Sequence, residues 1–191
     1  MVAEGSVKID RLSFFIEEEK NPWGIITEKD VIKSFIFQNK IEAVYHFTAK
    51  NNLNSIEKEG AILSRKLCEE RGIKYEGGGD ALSKQLDEDK NLEDYVHCSF
   101  CRDHPMRRRL DREGVKTVVL RIDPIILLED GVLFSNLNAA ANNAEIDEGR
   151  RGLWRIDYIT TQNKSINYKL YQAEILIPHC IPTSFIMDYQ E

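Results

Sequence analysis

The sequence predicts an α+β domain rather than a regular alternation of strands and helices. Helical spacing of apolar residues is confined to stretches near residues 27–36 and 51–60. Short β-branched or aromatic runs gather beyond residue 94. Helices first and strands later is the order of an α+β domain.

The first helix is expected to start at Thr27. Its hydroxyl can cap the helix, Asp30 suits the first turn, and Val31, Ile32, Phe35 and Ile36 fall on one stripe. A second, short helix is capped by Asn51 or Asn52, turns Leu53 and Ile56 inward, and ends at Gly60, where a left-handed residue is cheap. Residues 69–94 are polar, charged and interrupted by Gly77, Gly78 and Gly79, and are expected to be a loop or loosely packed excursion, either a lid or a solvated insertion. No Lys-Ser/Thr pair follows the glycines, so they are not a phosphate-binding loop of the P-loop type. Strands are expected at 95–101, 116–122, 132–135 and 171–178, punctuated by Pro124, Gly131 and Pro178.

No apolar run reaches the roughly 18 residues of a membrane span, and the first residues lack a secretory hydrophobic core, so the expected location is the cytoplasm and no membrane partner is expected. Four irregularly spaced cysteines do not form a disulfide framework in that compartment, and Cys68 and Cys180 are expected to be buried thiols. The net charge of −6 argues against a protein that coats DNA with a basic surface. Basic residues are nonetheless clustered. Residues 102–116 carry Arg102, Arg107, Arg108, Arg109, Arg112 and Lys116 against three acids, and Arg150, Arg151 and Arg155 form a second group. Either group is a phosphate contact or a solvated helix face.

The pair Cys98 and Cys101, flanked by His97 and His104, invites a zinc reading. On a strand, however, His97, Ser99 and Cys101 face one way and Cys98 and Phe100 the other, so the ligands do not converge, and no second pair has ligand spacing. No metal is expected. Arg102 falls where that strand ends, a place from which a guanidinium can fork onto a phosphate or carboxylate. Glu174 is the other oddity, a carboxylate within the apolar run YQAEILIP. There it is either a solvent-facing residue of an antiparallel strand or a fixed anion that stabilises positive charge on a sugar ring.

The segment YHFTAKNNLNSIEKEGAILSR at 45–65 resembles the opening motif of the DarT family of DNA ADP-ribosyltransferase toxins. SFCRDHPM at 99–106, VLFSNLNAA at 132–140 and YQAEILIPHCIP at 171–182 fit the same order. The resemblance implies an ADP-ribosyltransferase-like split β-sheet core with flanking helices over residues 41–191, preceded by an N-terminal extension with one helix over residues 1–40. It implies NAD as substrate and transfer of ADP-ribose onto a base of single-stranded DNA, with release of nicotinamide. It also implies an antitoxin partner that removes ADP-ribose or blocks the site. Under it Glu174 and Arg102 are the catalytic residues. His46, Phe47 and Thr48 contact the nicotinamide end of NAD, with Asn52 and Ser55 beside it. Arg107, Arg108, Arg150, Arg151, Trp154 and Arg155 meet the nucleic acid, Trp154 by stacking on a base if it is not a core aromatic. This chain departs from the family pattern Phe-Asn-Pro-Arg before Pro-Met: it reads Phe-Cys-Arg-Asp-His before Pro105, which moves the arginine by one position. The alternatives are an ADP-ribosyltransferase acting on RNA or protein, and a non-enzymatic nucleic-acid-binding module. A metal-dependent nuclease would need a better set than Asp103, His97 and His104.

Overall fold

A computed structural model describes residues 26–77, 81–166, 168 and 170–190. The first helix, α1 (Glu28–Gln38), starts as its sequence dictates. Asp30 N–H donates to Thr27 Oγ1 at 3.2 Å and Thr27 N–H donates to Asp30 Oδ2 at 2.8 Å, a reciprocal capping box. Ile32 and Ile36 are buried in the main core, and Phe35 meets Phe100 and Tyr158 edge-on at 5.9 and 6.2 Å between centroids. The helix expected in the N-terminal extension therefore packs into the same core as the later strands; residues 1–25 of that extension lie outside the described residues.

Among the described residues nine strands follow: β1 (Val44–Ala49), β2 (Ala61–Leu63), β3 (Tyr95–Ser99), β4 (Thr117–Ile122), β5 (Leu133–Ser135), β6 (Ile146–Glu148), β7 (Glu174–Pro178), β8 (Cys180–Pro182) and β9 (Ile186–Gln190). Seven form an antiparallel sheet in the order β6-β5-β7-β3-β1-β4-β9, and β2 pairs with β8. The sheet is split at its centre. β1 is paired over its full length with β4, and β3 over its full length with β7, but β1 and β3 share one register pair, Tyr45 with Ser99. The two halves diverge from that point.

The remaining helices are α2 (Leu53–Glu59), α3 (Arg65–Glu70), α4 (Ala81–Asp89), α5 (Pro105–Arg112), α6 (Gly149–Trp154) and α7 (Tyr158–Gln162). The expected cap of α2 is corrected: Asn52 stands at its start but makes no capping bond. Its amide instead donates to Thr48 Oγ1 and to the Glu76 carbonyl, both at 2.9 Å, and accepts from Glu76 N–H at 2.8 Å. Gly60 ends α2 at φ +68°, as expected.

The excursion expected at 69–94 is corrected more substantially. It contains α4, and Leu92 after it is buried. Its helix formers, such as Gln85 and Leu86, were obscured by surrounding charge. The strand expected from 171 begins at Glu174, because Leu170–Gln172 makes a 3-10 turn. Cys68 is buried as expected, but Cys180 is only half-buried; all four thiols are free. Among the described residues no helix is long and apolar enough to cross a membrane.

Candidate active site

Alternation along β3 separates two environments. Val96 and Cys98 enter the main core, whereas Tyr95 and His97 face a cleft of about 260 Å³. His97 and Cys98 therefore point to opposite faces of the sheet, and the described residues contain no group of three or more His, Cys, Asp or Glu arranged to hold a metal. His46, Phe47 and Thr48 on β1, and Asn52 and Ser55 at the start of α2, line the same cleft, as does Glu174. Segment 73–77 closes one side through Asn52, and α4 contributes Lys84 and Asp87.

Glu174 lies in register with Ser99 on one neighbour and Ser135 on the other, so three strands converge at the carboxylate. It is 6 % exposed, which removes the solvent-facing reading. Every contact that holds it comes from elsewhere in the sequence. Asn138 Nδ2 donates to Oε1 at 2.8 Å, Ala139 N–H donates to Oε2 at 3.2 Å, and His97 Nδ1 lies 3.0 Å from Oε2. An ionised carboxylate only accepts, so Nδ1 of His97 carries the proton. Burial pushes the carboxyl up. The hydrogen bond and charge of His97 and the Ala139 N–H outweigh it and hold Glu174 below the ordinary carboxylate range. The group is an anion at neutral pH.

Two further histidines frame this centre. His46 Nδ1 is 2.9 Å from the His97 carbonyl, an acceptor, so Nδ1–H donates across the split and Nε2 carries the lone pair. Burial depresses His46 below its ordinary value. His104, 2 % exposed, caps α5 by accepting from Met106 N–H at 3.3 Å on Nδ1, which leaves the proton on Nε2, 3.8 Å from Glu174 Oε1. Its ring stacks on Phe47 at 5.6 Å, and burial depresses it as well. Both rings are neutral at pH 7.

The arginines singled out in the sequence stand elsewhere. Arg102, expected beside Glu174 as the second catalytic group, is exposed in the turn after β3 and does not line the cleft, because the chain leaves the sheet at Ser99 and turns toward solvent before α5. Arg107 is bonded to Thr117 and Arg108 is ion-paired with Asp103. On α6, the Arg150 guanidinium lies 5.1 Å from the centre of the Trp154 ring, which is 75 % exposed and so not a core aromatic. Arg151 pairs with Asp147, and Arg155 with Glu145 at 2.5 Å. None of these six residues lines the cleft. His97, His104 and Asn138 were missed as partners of Glu174. The only available signal was the strand alternation that put His97 on the face of Ser99.

Comparison with known proteins bears on this geometry. A sequence comparison with curated proteins finds no match. The fold is similar to that of Thermus sp. 2.9 DarT in complex with ADP-ribosylated ssDNA, at 18 % identity and a TM-score of 0.64 over 78 % of this chain and 81 % of that one. The same protein in complex with NAD+ matches at 17 % identity and a TM-score of 0.62, over 78 % and 81 %. Thermosipho africanus DarTG in complex with ADP-ribose matches at 21 % and 0.65, this chain spanning 43 % of that one. The family model described as "ssDNA thymidine ADP-ribosyltransferase, DarT" matches residues 45–188, most of the chain, including every cleft residue named above. The chain belongs to the DarT family of single-stranded-DNA thymidine ADP-ribosyltransferases.

Proposed function

We propose that this chain takes NAD into the cleft at the split of the sheet and transfers its ADP-ribose to a thymine of single-stranded DNA, with Glu174 as the catalytic carboxylate. The observation that carries this reading is Glu174 itself: an ionised side chain, buried at the cleft floor and held by donors on both oxygens. As the bond from the ribose anomeric carbon to nicotinamide breaks, the bonding pair leaves with nicotinamide and positive charge develops on the sugar. A fixed anion in a low-dielectric site stabilises that charge without reorganising. A ring nitrogen of the base attacks the anomeric carbon, and its proton is lost to the Glu174 carboxylate as the new bond forms. His46, Phe47 and Thr48, with Asn52 and Ser55, hold the nicotinamide end; their presence in the same cleft as Glu174 supports that role.

Arg102 acts as a clamp on DNA phosphate, a role its solvent position supports and proton abstraction would not, since arginine stays charged. Trp154, exposed beneath Arg150, is a platform for an unpaired base, with Arg151 and Arg155 along the strand path. Arg107 and Arg108 are tied to Thr117 and Asp103 and make weaker phosphate contacts. An enzyme that modifies DNA in its own cell implies an antitoxin that reverses the modification or blocks the cleft, and this chain acts in that sense as a toxin.

Incubation with NAD and single-stranded oligonucleotides tests the reading. The product gains one ADP-ribose by mass and nicotinamide appears in equal amount. Oligonucleotides without thymine stay unmodified, and so do RNA and protein. Glu174→Gln abolishes transfer while its circular dichroism stays that of the parent; a variant that keeps working would remove Glu174 from the chemistry.

A further inference from the structure

We propose that His97 is a positioning residue for Glu174, an imidazole on β3 that bonds the Glu174 carboxylate on β7, lines the same cleft as Asp87 on α4, and keeps Glu174 ionised and aimed into the cleft. The catalytic consequence rests on the function proposed above; the interaction itself does not.

Glu174 is buried, and a buried carboxylate without charged help takes up a proton. Asn138 and Ala139 give it neutral donors. The remaining donor to an oxygen, at 3.0 Å, is His97 Nδ1–H, from a group that can itself carry charge. The opposite nitrogen of the ring, Nε2, is buried and has no side-chain hydrogen-bond partner among the described residues. Asp87 Oδ1 is buried and unpartnered as well, and both side chains line the cleft. With Nε2 inaccessible, His97 does not meet the substrate base as a proton acceptor; it acts through Glu174.

The titratable groups around the ring are Glu174 from β7, Asp87 from α4, His46 from β1 and His104 from the start of α5. The two histidines are neutral, so the balance around His97 is anionic. Desolvation lowers the affinity of His97 for a proton, but the hydrogen bond and charge of Glu174, with the charge of Asp87 and a contact to the Leu92 carbonyl, more than restore it and leave it above the ordinary histidine value. The same contact lowers Glu174, as linkage requires.

The first test needs no turnover and so is independent of the enzymatic reading. The chain has four histidines, few enough to assign individually by nitrogen NMR. The His97 titration midpoint should fall by about one pH unit or more in Glu174→Gln, the size expected when an opposite charge in contact is removed, and by less in Asp87→Asn. A His97 midpoint unmoved in Glu174→Gln overturns the proposal. The second test is the pH profile of kcat/KM. His97→Leu should shift the acid limb upward, with rate recovering at higher pH. His97→Asn, which keeps a neutral donor near Nδ1, should shift it part of the way. A uniform loss with the limb in place would mean a merely structural residue and would overturn the positioning role. Should His97→Leu fail to fold, the titration and His97→Asn decide the question.

Discussion

At the scale of single residues, the site depends on atoms that are close in space and distant in sequence. Glu174 was conspicuous on the page because a carboxylate interrupts an apolar strand. His97 and Asn138 were not, because they lie 77 and 36 residues from the group they hold. No local pattern encodes such a contact. Backbone proximity is equally hidden. Gly152, inside α6, looks like a weak helix position, yet a Cβ there would stand 2.3 Å from the Asp147 carbonyl and 3.0 Å from Phe134 Cβ. Gly152→Ala should therefore destabilise the fold by about 1–3 kcal/mol through overpacking, despite alanine's better helix propensity. Denaturant unfolding measures it, and an unchanged midpoint would show that α6 can shift freely.

At the scale of elements, α1 was legible to its capping box because Thr27 and Asp30 specify a start locally. α4 was not, since its charged surface masks a short amphipathic pattern, and its importance is tertiary. Just beyond it, Lys90 Nζ donates to the Ala139 and Ala141 carbonyls, both at 2.6 Å, and so pins the loop that presents Asn138 and Ala139 to Glu174. Lys90→Met keeps the aliphatic stem and removes both bonds. The loss is expected to cost about 1.5–3 kcal/mol, the range for hydrogen bonds to a charged group. It should lower kcat more than it raises KM for NAD, and Lys90→Arg should recover part of the rate. Equal kcat in Lys90→Met and the parent would show that the loop holds its place without the lysine.

For the whole molecule, pH dependence of stability follows from several buried groups with opposite signs. His46 and His104 have folded values below the ordinary histidine value of about 6.5. The unfolded chain therefore binds more protons just below that pH, and stability falls as the pH drops through the window. Glu174, also depressed, adds a further loss when the pH falls below the ordinary carboxylate range. His97 works the other way: its contribution is full below its ordinary value and fades as pH rises through its raised one. The melting temperature should fall between pH 7 and pH 5, and His104→Gln should flatten part of that fall. A midpoint that climbs on acidification would contradict the neutral rings. The α+β class was legible from periodicity and the order of elements. The split was expected only through the family resemblance, because sequence patterning reports which residues form strands and not where two of them part.

That parting has a consequence for anything that enters it. Beyond the Tyr45–Ser99 pair, the facing edges of β1 and β3 turn main-chain amides and carbonyls toward the gap instead of toward each other. One of them, the His97 carbonyl, is already taken by His46. A visiting molecule therefore meets polar groups that every amino acid supplies alike, and alanine scanning would leave that share of recognition untouched. Ester-for-amide replacement in β1 or β3 would reach it.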